Sequence, residues 1–199
     1  MKDIRLLQIV PTLESGGVEQ GTVDLANYIA QQGLESNIIS SGGKMLNQLI
    51  RSGVEYNYMQ VQSKNPFMIF KNVKKIKDFI NKKNINIVHV RSRAPAWSVR
   101  YACKNLCLSV STFHNVFDYQ NSFKRYYNSG LSKVDKIVAI SQYVKKTISK
   151  VYNINIEKIT TIHRGIDTDL FNPNIRNEIN YTNFLSRYNF PDNKKIILF

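Results

Sequence analysis

Two rhythms of apolar positions alternate along the 199-residue chain. Ile4–Val10 is apolar on both faces and closed by Pro11, the pattern of a strand buried inside a parallel sheet. A loop with Gly16 and Gly17 follows. Val18, Thr22, Leu25, Ala26 and Ile29 then recur at helical spacing until Gly33 supplies a left-handed stop. The alternation continues with a strand over Asn37–Ser40, a short helix over Lys44–Arg51 and a strand over Glu55–Met59. Ile69, Val73, Ile76 and Ile80 mark an amphipathic helix whose outer face carries Lys71, Lys74, Lys75 and Lys77. Further strands are predicted at Asn86–Val90, Ser109–Phe113, Lys136–Ile140 and Lys158–Ile162. Helices are predicted between them over Ala94–Cys107, Phe123–Leu131 and Gln142–Val151, the last capped by Ser141.

Such regular alternation predicts an α/β fold, a doubly wound, Rossmann-like parallel sheet with helices on both faces. Residues 1–165 form this domain, 166–193 read as a polar interdomain linker rich in asparagine, and 194–199 open a fresh apolar strand, the first of a C-terminal domain that is otherwise missing. Ligands of such sheets gather at the carboxyl ends of the strands. The loops after Val10, Ser40, Val90, Phe113, Ile140 and Ile162 are therefore where chemistry is expected.

Composition adjusts this picture only slightly. No run approaches the roughly 18 apolar residues of a membrane span, and the apolar stretch near the N-terminus is too short for a secretory signal, so a soluble, cytoplasmic protein is expected. Cys103 and Cys107, four apart, suit small core residues in a reducing compartment and offer no metal quartet. The net charge of +14 invites an anionic partner, although the abundance of Ile, Asn and Lys also fits an A/T-rich coding sequence. The aromatic-interleaved basic repeats of nucleic-acid modules are missing, so no nucleic acid is expected. The basic helices around Lys71, Lys74 and Lys75, and around Lys145, Lys146 and Lys150, suit a peripheral anionic membrane surface.

Gly16 and Gly17 stand immediately before a helix, where backbone amides and the helix terminus favour an anion; the same glycines also suit a plain tight turn. Neither a Gly-x-Gly-x-x-Gly dinucleotide fingerprint nor a P-loop is present. Several loops taken together are more specific: Gly16-Gly17-Val18-Glu19, Ser63-Lys64-Asn65-Pro66, Ile87-Val88-His89 with Ser92-Arg93-Ala94-Pro95-Ala96-Trp97, Thr112-Phe113-His114, Tyr126-Tyr127-Asn128-Ser129, Ala139-Ile140-Ser141 and Arg164-Gly165-Ile166-Asp167. In this order they resemble the N-terminal domain of a retaining GT-B glycosyltransferase of the family 4 type, which includes lipopolysaccharide-core and phosphatidylinositol mannosyltransferases.

The resemblance implies that Gly16 and Gly17 lie against the diphosphate of a nucleotide sugar and that His114 faces the sugar. It places Arg93 and Arg164 near the cleft, where a guanidinium pairs with phosphate or an anionic acceptor, and Ser141 among the binding residues. Two positions depart from the pattern: Arg91, where many relatives carry histidine, and His163–Arg164, where they carry proline or asparagine. His89, inside a strand, reads as structural. Glu19 and Asp118 are carboxylates near the cleft, but a retaining transfer of this class proceeds on one face of the sugar with the leaving diphosphate assisting, so no catalytic base is assigned. No metal or cofactor is expected; the nucleotide sugar is a substrate.

The function implied is the acceptor-binding half of an enzyme that transfers a hexose from a nucleotide sugar to a glycan or glycolipid acceptor. It would act with a separately encoded C-terminal half and be inactive alone. Competing expectations are a non-catalytic truncated remnant and a basic domain that binds membrane surfaces.

Overall fold

A computed structural model describes residues 3–50, 53–117, 119–169, 171, 172, 174 and 178–191. Asp118 and the strand expected from Ile196 lie outside these residues. The chain divides into two compact units, Met1–Arg164 and Gly165–Phe199.

The first unit alternates strand and helix: β1 (Arg5–Ile9), α1 (Gly17–Gln31), β2 (Glu35–Ser40), α2 (Asn47–Ile50), β3 (Glu55–Tyr58), α3 (Pro66–Lys82), β4 (Ile87–Val90), α4 (Arg93–Ala102), β5 (Leu108–Phe113), α5 (Ser122–Asn128), β6 (Lys136–Ala139), α6 (Gln142–Tyr152) and β7 (Ile159–Thr161). Among the described residues the strands form one seven-stranded parallel sheet in the order β3-β2-β1-β4-β5-β6-β7. The order reverses between β1 and β4, which pair Gln8 with His89 and Ile9 with Val90. Chains leaving these two neighbours turn to opposite faces, so a crevice opens at the carboxyl end of the pair.

Side-chain alternation sets the two faces. Val10 and Ile38 pack with Val23 and Ala26 of α1 and with Leu49 of α2. Leu7, Ile9, Val88 and Val90 pack instead with Ile76 and Ile80 of α3, Ala96 and Val99 of α4, and Val144 and Ile148 of α6. The predicted doubly wound arrangement is therefore present. Its helices start where local chemistry dictates: Asn65 accepts from the Phe67 amide at 2.9 Å with Pro66 as the first helical residue of α3, and Ser141 Oγ accepts from the Val144 amide at 3.2 Å at the start of α6.

The loop between β1 and α1 is held by the loop after β2. Leu13 donates to the Gly42 carbonyl at 2.7 Å, and Met45 donates to the Leu13 carbonyl at 2.9 Å. Gly43, at φ 142°, leaves no room for a side chain, since a Cβ there would fall on the Leu13 carbonyl group.

The clearest difference from the expected helix boundaries is at α4. α4 ends at Ala102 rather than continuing to Cys107, because Asn105 takes a left-handed conformation at φ 61° that turns the chain into β5. The stretch read as a linker contains a helix, α7 (Glu178–Arg187), where Leu185 is buried and the rings of Phe184, Tyr188 and Phe190 cluster. Among the described residues no helix is long and apolar enough to cross a membrane.

Candidate functional site

The crevice between β1 and β4 is polar at its base. Gln8, buried on the α1 face of β1, donates through Nε2 to the Thr22 carbonyl at 2.9 Å, and its Oε1 accepts from Arg91 Nη1 at 3.3 Å. Arg91 follows β4 directly and is only 9% exposed, and its Nε is buried without a hydrogen-bond partner. Nη2 lies against α1 at Gly21, where a Cβ would come within 2.9 Å of it. A glycine inside a helix costs about 1 kcal/mol relative to alanine, and here it makes room for the guanidinium. Burial, then Arg164, pulls the Arg91 pKa down to about 10, with the charge of Asp24 opposing.

Above this base stands the N-terminus of α1. Gly16, at φ 145°, caps the helix without a side-chain hydrogen bond, and Glu19 is the acidic residue of the first turn, at the positive end of the helix dipole. A Cβ on Gly16 would come within 2.6 Å of Glu19 Oε2, and one on Gly17 would fall on Arg164 Nη1. The exposed Arg164 therefore lays its guanidinium across the start of α1, and its Nη2 donates to His114 Nδ1 at 2.9 Å.

That bond fixes the imidazole. With Nδ1 accepting, the ring proton of neutral His114 sits on Nε2, an N–H that is buried without a partner. Burial first, then Arg91 and Arg164, holds the His114 pKa down at about 3. His89 is held at about 3 by burial, Arg91 and His114, and its Nε2 pairs with Thr112 Oγ1 at 2.8 Å. Two guanidiniums and two neutral imidazoles thus share the carboxyl edge of β1, β4 and β5. Among the described residues neither Arg91 nor Arg164 belongs to an ion pair; the pairs present, Arg5–Asp3 and Lys83–Glu55, lie elsewhere.

The structure brings together Gly17, His114 and Arg164, with Gly16 adjoining them. Arg93 and Ser141 are engaged otherwise. Arg93 donates to Asn128 Oδ1 at 3.1 Å and stacks over the Phe117 ring at 4.2 Å, on the side of α5, and Ser141 caps α6. Sequence reasoning missed the contributions of Gln8 and Gly21, and it noted Arg91 only as a departure from the family pattern. The available signal was polarity at every second position: Gln8 inside β1, and His89 and Arg91 along β4, interrupt strands that are otherwise apolar. Among the described residues no group of three His, Cys, Asp or Glu side chains could hold a metal ion.

The model of Glycosyltransferase Family 4 matches residues 15–170. The chain belongs to Glycosyltransferase Family 4. A crystal structure of a glycosyltransferase from Rickettsia africae ESF-5 is similar at 41% identity and a TM-score of 0.83, over 97% of this chain and 51% of that one. Anabaena Alr3699/HepE in complex with UDP and glucose is similar in fold at 12% identity and a TM-score of 0.72, over 93% of this chain and 50% of that one. The lipopolysaccharide outer core galactosyltransferase WaaB is similar in fold at 13% identity and a TM-score of 0.65, over 82% and 46% respectively. No curated protein matches the sequence. This family 4 chain has the fold of a GT-B N-terminal domain and spans about half the length of these solved structures.

Proposed function

We propose that this family 4 chain is the acceptor-side half of a hexosyltransferase, which takes a nucleotide sugar as donor and a lipid- or polysaccharide-linked glycan as acceptor. The observation that carries the reading is His114, set by Arg164 beside the N-terminus of α1 with its Nε2–H unpaired at the carboxyl edge of the sheet. A neutral imidazole so held donates one directed hydrogen bond to a sugar or phosphate oxygen, while the α1 amides and Arg164 offset negative charge on a leaving diphosphate. Preorganised donors of this kind are worth about 3 kcal/mol each in the transition state. The complexes of the Anabaena fold relative with UDP and glucose support a nucleotide-sugar donor. The facing wall of the cleft belongs to the remaining half of the enzyme, whether in the same polypeptide or in a separate partner.

Turnover of UDP-glucose and other nucleotide hexoses, measured with the chain alone and with the complementary half, tests this reading. We expect transfer only with both halves present and a loss of at least about 100-fold in His114→Ala. Full activity of that variant would reject the role given to His114.

The inner, cytoplasmic membrane surface is the proposed location. Phe67 and Phe70, 75% and 76% exposed, flank the lysines of α3, and Phe123, 87% exposed, adjoins Lys124 and Arg125 of α5. Exposed aromatic rings beside cations suit the headgroup region of an anionic bilayer and a lipid-linked acceptor. Cosedimentation with anionic vesicles tests this, and equal recovery with neutral and anionic vesicles would reject it.

A further inference from the structure

At the end of the sheet opposite the crevice, a cavity of about 930 Å³ opens among the segments that lead into β5, β6 and β7. Cys103 and Cys107 border it with the cations Arg100, Lys104, Lys133 and Lys158, and Asp135 is the one carboxylate of its lining. We infer that Cys103 and Cys107 form a reversible dithiol/disulfide pair, oxidised by a small, carboxylate-bearing disulfide that enters this cavity. This modification site is independent of the transferase reading.

The local backbone places the two sulfurs together. α4 stops at Ala102, and residues 103–107 form the turn that the left-handed Asn105 directs into β5. The Leu106 and Cys107 amides donate to the Cys103 carbonyl at 2.9 and 3.4 Å, which folds residue 107 back towards residue 103, and the Cys103 thiol donates to Cys107 Sγ. Sulfurs in hydrogen-bond contact need little movement to bond, and that movement falls in a turn rather than inside a helix. Because the two cysteines are only four positions apart, the bridge restricts the unfolded chain little. A bridge that adds so little stability is readily reduced again, which suits a site that cycles rather than one that holds the fold.

The two thiols are unequal. Cys103 is 3% exposed and holds its proton, because its bond to Cys107 and its burial both favour the neutral form. Cys107 is half-buried, and the bond it accepts draws its pKa down against burial and the charge of Asp135, making it the thiolate that meets a solute. Asp135 is already engaged: the Ser109 amide and Oγ donate to it at 2.8 and 2.6 Å, and the charge of Lys158 acts on it. The carbonyl ends of α4 and α6 border the same cavity and offset about half a charge each. Four cations against one carboxylate and two helix ends leave a lining with about two positive charges, which favours a disulfide with free carboxylates over a neutral or cationic one.

In the exchange, the Cys107 thiolate attacks one sulfur of the incoming disulfide, forming a mixed disulfide and expelling one small thiolate. Cys103, releasing its proton to solvent, then attacks Cys107 Sγ, and the second small thiolate departs. Two protein thiols are thereby oxidised to one disulfide, while the small disulfide is reduced to two thiols.

The test treats the intact, reduced chain with oxidised glutathione, traps free thiols by alkylation and locates the products by peptide mass spectrometry. The Cys103–Cys107 disulfide should form, and excess reduced glutathione should reverse it. Cys103→Ala should stop at a mixed disulfide on Cys107, and folded Cys107→Ser should leave Cys103 unmodified. Should either variant misfold, the order of alkylation in the parent chain, Cys107 before Cys103, decides the same point. Relative to the urea-unfolded chain, the folded chain should favour oxidised glutathione over neutral hydroxyethyl disulfide by at least about tenfold in rate at low salt, and added salt should shrink that preference. A dithiol that stays unchanged, a mixed disulfide that forms first on Cys103, or a bridge that reduced glutathione fails to open overturns the pair. A preference no greater than that of the unfolded chain overturns the part given to the cavity.

Discussion

Replacing Arg91 by methionine should make the protein more stable and less able to bind its ligand. The side chain is 9% exposed, and its pKa, drawn from 12.5 to about 10, corresponds to about 3 kcal/mol of penalty on the charged form. Methionine fills similar space without that penalty. Against this stands the loss of the 3.3 Å bond to Gln8, whose Oε1 would be left unpaired in a buried position at a cost of about 1–2 kcal/mol. The net expectation is a gain of about 1–2 kcal/mol, or about 2–8 °C in Tm for a chain of this size. Urea unfolding and calorimetry in phosphate-free buffer measure it. Added phosphate should raise the Tm of the parent chain more than that of the variant, because the variant binds it more weakly. A variant that loses 2 kcal/mol or more would show that Arg91 is a structural keystone and would refute the reasoning from uncompensated charge.

Acid should weaken the fold through His89 and His114. Both are held at about 3 when folded but titrate near 6.5 when unfolded, so the unfolded chain takes up protons first; their contribution is complete above about pH 6.5 and is lost as pH falls towards 3. The double variant His89→Asn with His114→Gln should therefore show a flatter fall of the urea midpoint between pH 7 and 4, and a fall as steep as the parent's would contradict the assignment. Gly43→Ala should cost about 3 kcal/mol, since it combines a φ of 142° with a clash on the Leu13 carbonyl, and a Tm within 1 °C of the parent would be inconsistent with that. Ser141→Ala should cost about 1 kcal/mol by uncapping α6, with ligand binding unchanged if capping is its whole role; calorimetry and phosphate titration read the two effects separately. Reversing Lys71, Lys74 and Lys75 to Glu should weaken binding to anionic vesicles by at least about 100-fold at physiological salt, as each lysine near the surface contributes about 1 kcal/mol, and unchanged cosedimentation would dismiss α3 as the docking element.

Most of the fold was legible because its elements announce themselves locally: Ile4–Val10 by apolar residues on both faces closed by Pro11, Val18–Ile29 by helical spacing closed at Gly33, and α6 by the serine before it. The end of α4 was not, because Ala94–Cys107 has helical composition throughout and only the left-handed Asn105 ends it. α7 was hidden among asparagines that suit loops as readily as exposed helix surface. The site was half legible. Gly17, His114 and Arg164 each follow or precede a strand or helix whose end is marked in the sequence. Arg91 was noted only as a departure from the family pattern and given no role, because what matters about it is burial against Gly21 of α1, a contact between segments 70 positions apart that no local pattern encodes. Arg93, two residues on, looks equivalent on paper, but it starts α4 and turns to Asn128 and Phe117.

The reversal of strand order between β1 and β4 has a bearing on biogenesis. Gln8 meets Arg91 across 83 positions, and His114 meets Arg164 across 50. A nascent polypeptide can pair β1 with β2 early, yet it cannot assemble the polar crevice until Arg164 has left the ribosome, and contacts of such long range form slowly. An incompletely translated or clipped chain ending short of Arg164 would keep much of its sheet while leaving His114 without the partner that sets its tautomer.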